Sequence, residues 1–157
     1  MKVFISHSTK DMDLVNDFTN ILKHRGIEAY VALSDARPGL DLWEKIESNI
    51  KDSNCVLAIL TQNGSRSEIV NQEIATAKAL YIPFIPIVEK GITLKGLLAG
   101  REYIEFDKSN PDLTYINANH YIEKLKLQFE SKEFLRVLLV IAVIVIGLYL
   151  LSKYVKK

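Results

Sequence analysis

One carboxylate in this sequence occupies a position where an apolar side chain is expected. The stretch from Ser65 to Tyr81 has a helix-forming composition, and the serines before it can cap its N-terminus. At about 100° per residue, Glu73 falls on the apolar arc of this helix, which contains Ile69, Val70, Ile74, Ala77, Leu80 and Tyr81. A carboxylate aimed at a buried face is costly unless it has a partner or a task. Two interpretations stay open: Glu73 reaches water at the rim of the stripe, or it acts on a ligand.

Other polar side chains cluster in two short loops. His7, Ser8 and Thr9 follow the first apolar run of the chain, and a second group leads into the helix of Glu73. That second group consists of Asn63, Gly64 and Ser65. Hydroxyl groups, a flexible glycine and a helix N-terminus together suit a phosphorylated ligand. Whether the two loops can meet depends on the elements that position them.

Short apolar runs alternate with helical patterns along the chain. We expect five strands, at residues 2–6, 27–31, 55–60, 84–88 and 103–106. Pro86 predicts irregular or one-sided pairing in the fourth strand, because proline has no amide hydrogen to donate. A last amphipathic helix is expected from about Ala118. Strand–helix alternation at this spacing predicts an α/β domain with a parallel sheet.

In an open α/β sheet, ligands bind beyond the carboxyl ends of the strands, where the strand order reverses. For five strands the commonest order is 2-1-3-4-5, and the reversal then lies between the first and third strands. The loop after the first strand and the loop after the third would border this crevice. This order therefore places Glu73 at the lip of a binding crevice rather than in the core.

This sequence lacks the residues that two common kinds of α/β site require. A phospho-receiver domain needs an acidic pair after the first strand and an aspartate at the end of the third, where this chain has Ser6, His7 and Thr61. A dinucleotide-binding Rossmann site needs Gly-x-Gly-x-x-Gly after the first strand, and residues 7–10 contain no glycine. A flavodoxin-like phosphate loop built from the Ser/Thr run stays open as a weaker alternative.

The charge of the chain is unevenly distributed. The net charge is +1, but the residues from Lys132 onward carry +4 and the remainder carries −3. A weakly acidic domain without a Lys/Arg cluster argues against a nucleic-acid partner. Cys55 is the only cysteine, and no Cys/His spacing indicates a metal site. Met1 leads directly into a strand, so we expect no signal peptide and a domain in the cytoplasm.

An unbroken apolar run extends from Val137 to Leu151. With its apolar flanks the run is long enough for a helix to cross about 30 Å of hydrocarbon, and Arg136 and Lys153 can reach the two interfaces. The alternative is a buried core helix, which is rarely apolar on every face. The sequence therefore predicts one domain over residues 1–130 and a single-pass C-terminal membrane anchor over residues 131–157, with the lipid bilayer as a partner.

Three segments, in this order and at these spacings, resemble motifs of the TIR (Toll/interleukin-1 receptor) domain family, of the bacterial or archaeal type. Residues 3–7, Val-Phe-Ile-Ser-His, followed by Asp11, resemble the first box of the family. Residues 37–39, Arg-Pro-Gly, followed by Trp43, resemble the second box, the loop after the second strand. Residues 67–73 resemble the Ser-x-Trp-(Cys/Val)-x-x-Glu segment of TIR domains that cleave NAD.

The resemblance implies a flavodoxin-like fold and, in the catalytic branch, a glutamate essential for breaking the nicotinamide–ribose bond of NAD. Glu73 matches this glutamate, and NAD is implied as a substrate rather than a cofactor. The crevice and the resemblance together predict the substrate-binding residues, which are His7, Ser8, Trp43, Ser67 and Ile69. The resemblance also implies self-association of TIR domains through the second-box loop, represented by Asp35, Arg37, Pro38 and Gly39.

One position departs from the family pattern. The aromatic four positions before the glutamate is commonly Trp, and this chain has Ile69 there. Trp43 could supply an aromatic surface instead, or it could anchor the second helix in the core.

The implied function is a membrane-anchored, NAD-cleaving effector of defence or signalling. Its carboxylate would stabilise positive charge on the ribose while neutral nicotinamide leaves. Hydrolase and cyclase outcomes both stay open. The alternatives are a non-catalytic TIR–TIR interaction module that nucleates a signalling complex, and a nucleotide sensor without turnover.

Overall fold

The computed structural model describes the backbone of residues 1–32 and 42–155, and the side chains of these residues except 42, 134 and 145–155. Five strands form close to their predicted bounds: β1 (Lys2–Ser6), β2 (Glu28–Val31), β3 (Cys55–Leu60), β4 (Phe84–Glu89) and β5 (Ile104–Phe106). The helices are α1 (Met12–His24), α2 (Leu42–Lys51), α3 (Glu68–Ala79) and α4 (Pro111–Val155). Short 3-10 turns lie at Thr9–Asp11, Gly64–Arg66 and Gly96–Leu98.

The five strands form one parallel sheet in the order β2-β1-β3-β4-β5. The predicted α/β fold and strand order are therefore confirmed, and the order reverses between β1 and β3. β5 begins opposite Ile87, one residue after Pro86. Pro86 pairs with β3 but lies before the stretch that pairs with β5, which agrees with the one-sided pairing expected of a proline.

One face of the sheet is covered by α2 and α3. Alternate residues of a strand share a face, and here the even-numbered positions Phe4, Val56 and Ala58 point to these helices. Ala77 of α3 packs in a cluster with Phe4 and Val56, while other α3 side chains pack with Ala58. Full burial of a large apolar side chain such as Phe4 stabilises the fold by about 2 kcal/mol. Packing on the sheet therefore fixes the position of α3.

Cys55 opens β3 and is fully buried, as expected for a small core residue. All the remaining residues of β3 are buried as well, which is typical of a central strand covered on both faces. Burial raises the pKa of the Cys55 thiol to about 12, because the interior disfavours the thiolate.

The chain divides into two compact units, Met1–Tyr121 and Ile122–Lys157. The first unit contains the sheet and the first turns of α4, where Tyr115 makes an edge-to-face contact with Phe18 of α1. The helix α4 begins at Pro111, earlier than the predicted Ala118. Proline suits the first position of a helix, and Asp112 favours the first turn electrostatically. The predicted boundary near residue 130 stays a prediction.

The predicted membrane anchor is wrong. Among the described residues, none of the helices has an apolar stretch that could reach across a membrane. The single-pass membrane localisation, which rested on this anchor, is wrong as well, and the lipid bilayer partner is not supported.

A buried polar network holds the turn that leads into α3. The side chain of Asp11 accepts hydrogen bonds from Thr61 Oγ1 at 2.7 Å and from Asn63 Nδ2 at 3.3 Å. Thr61 Oγ1 in turn accepts from the backbone amide of Gly64 at 3.1 Å. A Cβ atom at Gly64 would lie 2.2 Å from the carbonyl oxygen of Ile59, closer than real Cβ atoms approach. Only glycine therefore fits this close contact.

We expect Gly64→Ala to lower the free energy of unfolding by about 2 kcal/mol or more, because the added methyl group forces the turn away from β3. Urea denaturation measures this change. Ser65→Ala, in the same turn, adds no atom and should change stability by less than about 0.5 kcal/mol. Equal stability of Gly64→Ala and the parent protein would contradict the close contact.

Candidate active site

Glu73 lies on the face of α3 that packs against the sheet, with only 2% of its surface exposed. The interpretation that it reaches water at the rim of the helix is therefore wrong. Its Oε2 atom accepts a hydrogen bond of 2.5 Å from the hydroxyl of Ser6, the last residue of β1. The carboxylate is thus buried and tied to the carboxyl end of the strand where the sheet order reverses.

The contact follows from the similar spacing of residues that share a face in β1 and in α3. Phe4 and Ser6 lie on the same face of β1, about 6.6 Å apart along the strand. Ala77 and Glu73 lie four residues apart on α3, about 6 Å along the helix. Phe4 and Ala77 belong to one core cluster, so the next step along each element brings Ser6 to Glu73.

Burial raises the pKa of Glu73 to about 7, because the interior cannot solvate the charge as water does. The hydrogen bond from Ser6 acts in the opposite direction, since the hydroxyl stabilises the carboxylate. Near neutral pH both protonation states are therefore populated. Carboxyl groups perturbed in this way are frequent at functional sites.

His7 is the residue after Ser6, and its side chain is buried with 4% of its surface exposed. Its Nδ1 lies 3.2 Å from the carbonyl oxygen of Ile5. A carbonyl oxygen only accepts, so Nδ1 carries the hydrogen and donates it. Burial lowers the pKa of His7, against the opposing effects of this hydrogen bond and of the Asp11 charge, and therefore favours the neutral ring. Nε2 then carries a lone pair, and within the described part of the chain it has no hydrogen-bond partner.

A cavity of about 100 Å³ brings most of the predicted site residues together. Its lining consists of His7, Ser8, Thr9, Ala32, Ile46, Ser67, Ile69 and Glu73. Ser67 caps α3, and its hydroxyl accepts a hydrogen bond from the Val70 amide at 3.4 Å. Ile69 is 47% exposed, in contrast to its predicted place on the buried arc. The cavity lies where the loop after β1 meets the N-terminal half of α3, as the crevice argument predicts.

Trp43 is absent from the residues that line this cavity. Its half-buried ring packs instead against the core cluster that contains Phe4, Ile46 and Ile50. This packing agrees with the interpretation of Trp43 as an anchor of α2, and its role in binding stays a prediction. The predicted assembly loop, with Asp35, Arg37, Pro38 and Gly39, lies outside the described residues.

The second polar loop does not reach the cavity of Glu73. Asn63 and Gly64 take part in the network of Asp11 instead. Ser65 lines a separate cavity of about 780 Å³, beside another face of α3 and the loop of residues 91–98. The expected meeting of the two polar loops therefore holds only for the first loop and for α3 itself.

Sequence analysis gives no site role to Ser6 or Asp11. A polar residue that ends an otherwise apolar strand, on the same face as Phe4, is the signal that could have identified Ser6. Asp11 could have been noted as a carboxylate in the same loop as His7, but its partner Thr61 is distant in sequence. Both contacts depend on long-range register, which apolar patterning alone does not give.

The parallel sheet, whose strand order reverses between β1 and β3, defines an α/β domain. The buried carboxylate of Glu73 beside the end of β1 marks its candidate site. The chain belongs to the TIR domain family, since the sequence model of that family matches residues 3–137. A curated relative, described as a probable 2′ cyclic ADP-D-ribose synthase, TcpO, from Methanobrevibacter olleyae, is 32% identical over 72 residues. This match covers 45% of the present chain and 21% of the relative's length.

Solved structures with a similar fold include the TIR domain of the Toll-related receptor TRR-2 from Hydra magnipapillata. Its TM-score is 0.65 at 20% identity, and the match covers 79% of this chain and 97% of that one. A 2-deoxyribosyltransferase from Bacillus psychrosaccharolyticus has a TM-score of 0.58 at 13% identity, with 73% and 90% coverage. At these identities the likeness is one of fold.

We expect Glu73→Gln to become more stable relative to the parent protein as the pH rises from 5 to 8. The pKa of Glu73 is about 7 in the folded state, against an ordinary value of 4.5, so between these values the folded state binds more protons. The stabilising contribution of neutral Glu73 is complete below about pH 4.5 and is lost as the pH rises through 7. The full loss is about 3 kcal/mol, and glutamine, which does not ionise, avoids it.

Urea denaturation at pH 5 and pH 8 tests this expectation. Glu68→Gln is the matched control, because Glu68 lies on the same helix but is exposed. For the control, the difference from the parent protein should be the same at both pH values. A difference between Glu73→Gln and the parent that does not change with pH would show that the charge of Glu73 is not destabilised by burial.

Proposed function

We propose that this TIR domain cleaves the nicotinamide–ribose bond of NAD, with Glu73 as the carboxylate that acts on the ribose. The observation that carries the proposal is the buried position of Glu73 beside a small cavity, with a pKa raised to about 7. The relative named as a probable cyclic ADP-ribose synthase supports it, because cyclic ADP-ribose is what remains of NAD after nicotinamide has left.

The chemistry suits a lone carboxylate. Nicotinamide is a cationic ring when bound to ribose and leaves as a neutral base that takes the electron pair of the broken C–N bond, so no general acid is needed. Positive charge then develops on the ribose, and a nearby carboxylate stabilises it. The effect is stronger in a site of low dielectric constant than in water.

Ser6 holds one oxygen of the Glu73 carboxyl group, which restricts its orientation. In the proposed complex, the carboxylate then faces the sugar in a defined direction, and little reorganisation is needed during the reaction. The ribosyl cation is captured either by water, which gives ADP-ribose, or by another nucleophilic atom of the same molecule, which gives a cyclic product.

The predicted binding residues fit this proposal in different ways. His7, Ser8 and Ser67 offer polar groups around the cavity, and half-exposed Ile69 offers an apolar contact where other family members have an aromatic ring. A cavity of about 100 Å³ takes a part of the dinucleotide, so most of NAD would lie outside it. Trp43 is proposed as an indirect contributor that fixes α2 through the core.

We expect Glu73→Gln to lower the rate of NAD consumption by at least about 100-fold, because the amide cannot offset positive charge on the ribose. Consumption of NAD and release of nicotinamide are followed by liquid chromatography, which also separates ADP-ribose from cyclic products. Glu68→Gln is the control and should keep the parent rate.

Equal rates in Glu73→Gln and the parent protein would remove Glu73 from the chemistry. A parent protein that consumes no NAD, even at concentrations where it self-associates, would favour the alternative of a non-catalytic TIR–TIR interaction module.

We also propose that the domain self-associates, with the predicted loop of Asp35, Arg37, Pro38 and Gly39 close to the site of a second copy. The specific rate of NAD consumption is then expected to rise with protein concentration, because more copies are assembled. Sedimentation and activity are measured over the same concentration series. Glu73→Gln should assemble like the parent while staying inactive. A specific rate that is constant while the protein stays monomeric would contradict the role of assembly.

A further inference from the structure

The connection between β4 and β5 leaves part of one sheet face without a helix. A crossover between two parallel strands is usually an α-helix, and helices cover both faces of most parallel sheets. Residues 90–103, all of which the structure describes, contain no α-helix and one short 3-10 turn, Gly96–Leu98. The side chains of Ile92, Leu94 and Leu98 hold this connection against the apolar cluster of α3 and the sheet. Beside α3 there is therefore a loop where such folds usually have a helix.

Two cavities lie along the flank of α3 that faces this connection. The first, of about 780 Å³, is lined by Asn71 of α3, and the second, of about 630 Å³, by Ala75 and Lys78. Residues three and four apart share one side of a helix, so both cavities border the same flank. Leu97 of the connection lines both cavities and is 47% exposed. We call the two cavities together the α3 groove, which extends along about 10 Å of the helix.

The floor of the α3 groove is apolar. Leu60 of β3 and Ile74 of α3 line the first cavity, and the half-buried ring of Phe84 lines the second. These side chains lack the packing that a covering helix gives to a parallel sheet. Because the groove is concave, a flat lipid surface does not reach its floor, whereas the curved face of a helix does.

The rim of the α3 groove carries positive charge only. Four cationic side chains line the two cavities, and no Asp or Glu appears in the described lining. They are Arg66, Lys78, Lys95 and Arg101.

These four charges are not neutralised within the described part of the chain. All four side chains are exposed, and none forms an ion pair with a described residue. Arg101 lies over the ring of Phe84, with its Cζ atom 4.8 Å from the ring centroid. Glu89, which accepts a hydrogen bond from the Gln62 amide at the edge of the first cavity, is already paired with Lys108 at 2.7 Å. The groove therefore attracts a partner that brings negative charge.

We propose that the α3 groove binds an acidic amphipathic helix of a partner protein. The apolar side of this helix lies on Leu97 and Phe84, and its Asp and Glu side chains pair with the four cations of the rim. The bound helix takes the place beside α3 that the β4–β5 connection leaves open.

The helices α1, α2 and α3 of a second copy do not suit this role, because their apolar sides are buried in their own core. The proposal does not depend on NAD cleavage, since none of the four cations lines the cavity of Glu73.

Fluorescence anisotropy with a designed peptide tests the proposal on the full chain. The probe is a fluorescein-labelled peptide of about 15 residues, with leucines at helical spacing on one side, glutamates beside them and alanine elsewhere. One matched peptide has lysine in place of each glutamate, and another has the composition of the probe in an order without an apolar side. We expect only the acidic amphipathic probe to bind, and its Kd to rise between about 0.05 M and about 0.5 M NaCl. No binding of this probe, or equal binding of all the peptides, overturns the proposal.

Charge reversal locates the binding site. Lys78→Glu combined with Lys95→Glu removes two attractive contacts and adds two repulsive ones, so the Kd of the acidic probe should rise about tenfold or more. Lys23→Glu combined with Lys51→Glu changes the net charge equally at exposed positions outside the groove, and should bind the probe like the parent protein. Thermal denaturation checks that both double variants are folded. Equal weakening in the two double variants contradicts a site in the groove.

A single substitution tests the apolar contact. Leu97→Ala removes exposed apolar surface at the point where the two cavities meet, and should raise the Kd of the acidic probe about threefold or more. Leu113→Ala, at a similarly exposed leucine of α4, is the matched control and should leave the Kd unchanged. A Leu97→Ala variant that binds the probe as tightly as the parent protein contradicts docking on the floor of the groove.

Two other occupants would give different results. Self-association of the parent protein in sedimentation that the Lys78→Glu and Lys95→Glu variant loses, without binding of the acidic probe, assigns the groove to a second copy and overturns the proposal. Binding to phosphatidylserine vesicles that the same variant loses, again without binding of the probe, assigns it to a lipid surface and overturns the proposal equally.

Discussion

The hydrogen bond between Ser6 and Glu73 joins the end of β1 to α3 inside the protein and orients the carboxyl group of the candidate site. A carboxyl group withdrawn from water is destabilised in its charged form, and one hydroxyl group offsets this only in part. The apolar contacts on either side must therefore hold α3 in place. Ala77 packs with Phe4 beyond one end of the contact, and Val70 and Ile74 pack against neighbouring strands. The site is positioned by the core rather than by its own polar groups.

Most of the fold could be predicted because its apolar runs are short and distinct. The fully apolar run from Cys55 to Leu60 identifies a central strand, and alternation with helical patterns leaves few possible topologies. Helix ends were harder to place. The predicted apolar arc extended to Tyr81, but α3 ends at Ala79 and Tyr81 is 93% exposed with a positive φ of 57°. Pro83 follows a few residues later and limits the helix, but neither this proline nor the apolar periodicity shows which residue is the last one.

The candidate site was predictable in outline but not in its contacts. Topology alone brings the loop after β1 to the helix of Glu73, and His7, Ser8 and Ser67 follow from that rule. The pairing of Ser6 with Glu73 and the tautomer of His7 depend on register and on backbone geometry, which composition does not encode. For the long apolar run near the C-terminus, the sequence predicted more than the structure shows. The hydropathy of the sequence predicted a membrane span, and the helices of the described chain do not provide one.

The burial of Cys55 has a practical consequence for experiments on assembly. Its thiol lies in the central strand with a pKa raised to about 12, and thiol reagents react with the thiolate. Because the chain has no other cysteine, the folded protein presents no sulfhydryl that maleimides or disulfide reagents readily reach. A single cysteine introduced at an exposed position such as Tyr81 would then be the sole labelling site, so fluorophores or cross-linkers could report contacts between copies without prior removal of the native residue.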